Sequence, residues 1–202
     1  MASTRKITAY PRPVQNFIAF GLDTIAFGLN ARFIDNYTVV PGFLDHLGAS
    51  PVLIGAIPTI YWLFWAIPQL FAGGIIGRFP RKKPVLIISA ISTRIAIPIM
   101  AAVVYLTNAE PSWLSIVSLI IALIVLTVGD AFATVAWVDM LGRAFPPERR
   151  TGYMAIWQAI MGLVAIFGIA RLVQFLLSPE GPAFPQSYVI LFLGSTVCLA
   201  IS

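Results

Sequence analysis

Gly73-Gly-Ile-Ile-Gly-Arg-Phe-Pro-Arg-Lys-Lys-Pro84 joins two long apolar runs, and its reading decides the fold. Basic side chains enter hydrocarbon only at high cost, so Arg78, Arg81, Lys82 and Lys83 fix this turn on one side of a membrane. Gly73 and Gly77 are four residues apart and share one helix face, which predicts close approach of a second helix there. Pro80 and Pro84 punctuate the turn, ending one helix and starting the next.

Composition points the same way. The chain has 202 residues, 59% of them hydrophobic and only 10% charged, where a soluble domain carries about 25% charged residues. The net charge of +5 is concentrated rather than spread. Arg5, Lys6 and Arg12, then Arg78 to Lys83, then Arg143, Arg149 and Arg150 hold ten of the 13 Lys and Arg residues. The intervening loops carry Asp45, His46, Glu110 and Glu180 instead. This is the positive-inside pattern with a cytoplasmic N-terminus, and it argues for lipid headgroups, not nucleic acid, as the partners of the basic runs. The single cysteine, Cys198, excludes an internal disulfide and a Cys-based metal site. The N-terminal residues lack the apolar region of a cleaved signal peptide.

The expected organisation is a cytoplasmic tail over 1–15 and a helix bundle over 16–202. The expected spans are 16–40, 52–76, 85–106, 113–141, 153–177 and 188–202. The first five exceed the ~20 residues needed to cross the membrane. The sixth leaves 15 residues, about 22 Å at ~1.5 Å per residue, so a truncated sixth helix is expected. The fold class is therefore an all-α integral membrane protein, a bundle of six transmembrane helices. Gly21-Leu22-Asp23 in span 1 and Gly129-Asp130 in span 4 hint at an internal repeat.

The Gly73–Lys82 turn resembles the loop between helices 2 and 3 of the major facilitator superfamily, G-x-x-x-D-R-x-G-R-[RK], at Gly73, Arg78, Arg81 and Lys82. It departs at Gly77, where the family has Asp, and at Pro80, where it has Gly. The resemblance implies the N-terminal half of a twelve-helix fold with the C-terminal half missing, made of two inverted three-helix repeats. It also implies a cytoplasmic gating network of Arg78, Arg81 and Lys82 with Asp139, Arg143 and Arg149. The Asp lost at Gly77 alters the usual form of that latch.

No catalytic or metal constellation is present. His46 is the only histidine, which excludes His triads and multi-His sites, and no phosphate-binding G-x-x-x-x-G-K-[ST] loop occurs. The chain is read as no enzyme, with no cofactor. The informative residues are charges inside spans, where each needs a partner or a wet cavity. Asp23, Arg94 and Asp130 fall in one layer and either form a structural ion pair or handle substrate or a proton. Arg32 and Asp35 have the spacing of a local pair. Polar and aromatic residues share faces at helical spacing: Asp23, Phe27 and Asn30; Tyr61, Trp65 and Gln69; Asp130, Thr134 and Trp137; with Gln158 on span 5. By the resemblance these faces line a central cavity. The expected function is secondary active transport of a small solute by alternating access, coupled to a proton or sodium ion, in the cell inner (plasma) membrane. The alternatives are a non-transporting receptor or assembly module on the same fold, and a membrane-embedded lipid-modifying enzyme.

Overall fold

The computed structural model describes residues 12–78 and 83–202. Arg5, Lys6, Pro80, Arg81 and Lys82 lie outside the described residues. The described chain is helical throughout: α1 Pro13–Phe33, α2 Val39–His46, α3 Pro51–Gly77, α4 Lys83–Thr107, α5 Ser112–Ala144, α6 Pro147–Val164, α7 Ala170–Leu176 and α8 Gln186–Ile201. A π-helical stretch, Ala165–Ile169, makes α6 and α7 one continuous rod.

Proline and capping chemistry set the helix starts. Ser50 accepts a hydrogen bond from the Leu53 N–H at 3.3 Å, and Pro51 follows at the first helical position, where its missing N–H is harmless. α6 starts on Pro147, with Glu148 in its first turn beside the positive end of the helix dipole. At the far end of α5, Arg150 donates to the carbonyls of Phe145 and Gly142 and so satisfies orphan acceptors of that terminus. α3 continues through Pro58 and Pro68, and α4 through Pro98.

The first expected span is not one helix. α1 stops at Phe33, and the Asp35 carboxylate accepts from the Tyr37 N–H at 3.0 Å and the Thr38 hydroxyl at 2.9 Å. Such an Asx turn competes with the helix for backbone donors. Pro41 and Gly42, just past the expected end of that span at 40, lie inside α2. The break also removes the expected Arg32–Asp35 pair, because the two residues no longer share a helical turn. It folds α2 back on α8, where Phe43 meets the rings of Tyr188 and Phe192 at 5.1 and 5.3 Å.

α5 packs on α3 and α4, α8 on α4 and α1, and α1 on α6. Ile97, Met100 and Val104 of α4 interleave with Leu119, Leu123 and Leu126 of α5 and with Leu191 and Phe192 of α8. The outer surface is as apolar as this core: Leu70 is 80% exposed and Leu106 79%. A protein greasy on both sides of its helices has hydrocarbon, not water, as its solvent. Four rods are long and apolar enough to span a bilayer: α3, α4, α5 and the continuous Pro147–Leu176. α1 has 21 residues but carries Asn16, Asp23, Asn30 and Arg32, and α8 is a shorter apolar helix of 16 residues.

The glycines that permit close packing are not those expected. A Cβ at Gly73 or Gly77 would meet nothing within 4 Å, so no neighbour uses that face among the described residues. At Gly129 it would lie 2.6 Å from Thr93 Cγ2 and 3.1 Å from the Ser89 carbonyl oxygen, so here α4 and α5 need the glycine.

Candidate functional site

α1, α4, α5 and α6 surround a cavity of about 630 Å³. Its charged residues are Asp23 from α1, Arg94 from α4 and Asp130 from α5. Thr134, Trp137 and Gln158 also line it, with Phe27 and Ser202. Six of the ten residues picked out from sequence therefore face one space. Helical spacing explains this directly, since Asp130, Thr134 and Trp137 lie on successive turns of one face.

The two carboxylates are held differently. Asp23 Oδ1 accepts from the Ser202 hydroxyl at 2.6 Å, and Asp23 is attracted electrostatically by Arg94. Asp130 Oδ2 accepts from the Trp65 indole N–H at 2.8 Å, and its Oδ1 from the Thr134 hydroxyl at 3.4 Å. Arg94 makes no contact ion pair with either acid; its Nη1 donates to the Ala90 carbonyl at 3.1 Å, one turn back on its own helix.

The remaining sequence candidates lie elsewhere. Trp65 reaches the site from α3 through its bond to Asp130. Tyr61 lies within electrostatic reach of Asp130 and packs edge-on to Trp62, ring centroids 5.5 Å apart. Asn30 is 2% exposed and accepts from the Ser195 hydroxyl at 2.6 Å, so it ties α1 to α8 and does not face the cavity. Its signal was available in the sequence, since Ser195 interrupts an apolar run. The Gln69 amide nitrogen is buried with no hydrogen-bond partner among the described residues. The contact between Trp62 and Tyr37, Nε1 to Oη at 3.0 Å, had no sequence signal because Tyr37 lies in the unforeseen break after α1.

At the basic end, Asp139 and Arg143 pair at 3.0 Å. This is the only ion pair among the described residues, and Arg78 and Arg149 take no part in it. Arg150, read from sequence as one of the basic loop residues on this side, caps α5.

Long apolar rods, a greasy exterior and a cavity that holds mid-helix charges define a polytopic membrane protein. The family model of the Major Facilitator Superfamily matches residues 17–201, and the chain belongs to that superfamily of solute transporters. No curated protein and no solved structure matches it.

Proposed function

We propose that this chain is the N-terminal half of a secondary active transporter that moves a small solute by alternating access. A second bundle, the C-terminal half, would complete the solute pathway, and rocking of the two would expose it to each side in turn. A proton or sodium ion would supply the coupling. The plasma membrane is the membrane we assign, and the positive-inside pattern supports a cytoplasmic N-terminus there.

The observation that carries this reading is Asp130. It lies near the middle of α5 and is held by Trp65 near the middle of α3, with no cationic partner in contact. A charge at that depth costs ~2.5–3.5 kcal/mol unless water or a ligand reaches it, so an ionisable residue there marks a solute or ion path. Asp23 and Arg94 in the same cavity make that path amphoteric.

The test is a single cysteine at Thr134 in a Cys198→Ser background, in the protein as the cell makes it. A membrane-impermeant methanethiosulfonate reagent is expected to label it in both right-side-out and inside-out vesicles. Labelling from neither side, with the protein folded, would overturn the transporter reading.

A further inference from the structure

We infer that the cavity holding Arg94 and Asp130 is a binding site for an amphipathic zwitterion, a solute with an ammonium group, a carboxylate and an apolar body, as an apolar amino acid has. The inference rests on the transporter reading and names its substrate class.

The unmatched charges come first. Asp23, Arg94 and Asp130 all line this one space. Asp23 accepts from the Ser202 hydroxyl at 2.6 Å and lies in the field of Arg94. Asp130 is bonded by neutral donors only, and it lies in the field of a second acid, Asp23. Arg94 gives one N–H to the Ala90 carbonyl of its own helix, and its guanidinium touches no carboxylate among the described residues. The cavity therefore holds a guanidinium with donors still to place and a carboxylate without a counter-charge. They stand on different helices, α4 and α5.

Occlusion decides what can fill the space. When the second bundle closes over the solute, water leaves, and a charge without a partner costs far more there than in water. A neutral solute strands both groups. An anion matches Arg94 but meets two carboxylates, and a monocation matches Asp130 but leaves the guanidinium stranded. A zwitterion brings a carboxylate to the planar fork of Arg94 and an ammonium group to Asp130, and it enters without changing the net charge of the site.

The walls fix the rest of the solute. Phe27, Ile87, Ile91 and Met161 line the same cavity. Its volume, about 630 Å³, falls within the ~300–1,000 Å³ of small-molecule sites, and few polar groups among apolar walls are the usual make-up of such sites. An apolar body covers those walls and takes their surface out of water.

The test uses the protein as the cell makes it, purified into lipid nanodiscs, with L-phenylalanine as probe. 2-Phenylethylamine lacks its carboxylate and 3-phenylpropionate lacks its ammonium group, so each control carries one charge. Calorimetry is expected to show saturable binding of L-phenylalanine and at least about tenfold weaker binding of each control. Arg94→Gln should abolish the preference for L-phenylalanine over 2-phenylethylamine, and Asp130→Asn the preference over 3-phenylpropionate. Those two separate losses are what a merely structural role would not produce. Asp45→Asn, which removes an exposed acid on α2, should leave both preferences unchanged. No binding of L-phenylalanine, equal binding of either control, or both preferences intact in Arg94→Gln and Asp130→Asn would each overturn the proposal. Should Asp130→Asn lose its helical circular dichroism, Arg94→Gln carries the test, and an unchanged preference over 2-phenylethylamine would overturn it. No binding of L-phenylalanine together with two-sided labelling at Thr134 would sink the substrate class alone. Labelling from neither side would sink the transporter reading as well.

Discussion

Gly21 and Asp23 in α1, and Gly129 and Asp130 in α5, are two glycine–acid pairs in the middle of two helices that share a cavity. At Gly21 the close neighbour is an indole: a Cβ would lie 2.6 Å from Trp157 Nε1. At Gly129 the neighbours are Thr93, Ser92 at 2.8 Å and the Ser89 carbonyl of α4. The acids differ in the same way. Asp23 lies in the field of Arg94, while Asp130 has only neutral donors. One local pattern thus serves an acid in the field of a guanidinium in α1 and an acid held by neutral donors in α5. Neighbouring helices, not the motif, make the difference.

The largest expected effect breaks the packing side of this comparison. Gly129→Val forces a branched side chain against the Ser89 backbone, which has no rotamer to move to. Overpacking of this kind costs ~1–3 kcal/mol and rises where backbone must shift. Most of the folded protein should be lost in detergent, read as a fall in the monodisperse peak on size exclusion. Gly21→Ala meets the buried Trp157 ring, packed among Phe17, Phe145 and Tyr153, and should cost about 1–3 kcal/mol. Gly73→Ala meets nothing and should be neutral. Equal damage at Gly73 and Gly129 would show that the helix pairing is wrong.

The same contrast explains what was legible in the sequence. Apolar runs of 20 or more residues follow from the thickness of hydrocarbon, so the long rods could be read directly. The small-residue spacing at Gly73 and Gly77 says what a face permits, and only a neighbour decides whether it is used. The break after Phe33 was hidden because Ile34, Val39 and Val40 continue the apolar run, while Asp35 captures two local donors that only the folded chain reveals. Asp130, Thr134 and Trp137 were readable as one face of one helix. That Trp65, and not Arg94, is the partner of Asp130 depends on how α3 and α4 are set around α5, which no local spacing encodes.

The second prediction sharpens the charge side. Asp23→Asn strands Arg94 in a partly buried site and should lower stability by about 1–2 kcal/mol, with Arg94→Gln restoring it. Asp130→Asn strands no cation and should change stability by less than about 1 kcal/mol, because the amide oxygen still accepts from the Trp65 N–H and the amide NH2 can donate to the Thr134 hydroxyl oxygen. Thermal unfolding of the three single variants and of the Asp23→Asn/Arg94→Gln and Asp130→Asn/Arg94→Gln double variants gives the answer. Rescue of Asp130→Asn, and not of Asp23→Asn, by Arg94→Gln would reverse the assignment.

The smallest effect lies at the end of α5, where the same kinds of charge meet solvent. Arg150 bonds the carbonyls of Gly142, in the last turn, and of Phe145, just past it, and Arg150→Gln should cost about 1 kcal/mol by leaving those acceptors to water. Asp139 and Arg143 form a true contact pair at 3.0 Å, closer than Arg94 comes to either cavity acid, yet their side chains are 39% and 66% exposed. Water screens the attraction, and ordering two long side chains offsets what remains, so Asp139→Asn should cost no more than about 0.5 kcal/mol. Salt should abolish even that, because exposed charges lose their interaction as the screening length shrinks. Thermal melts of Asp139→Asn and Asp23→Asn at low and high salt compare the two depths directly. A salt-sensitive, sub-kilocalorie loss at Asp139 beside a larger, salt-insensitive loss at Asp23 is the expected outcome. Equal losses would mean that depth in the bilayer does not govern what a charge is worth in this bundle, and the distinction drawn between Asp23 and Asp130 would fall with it.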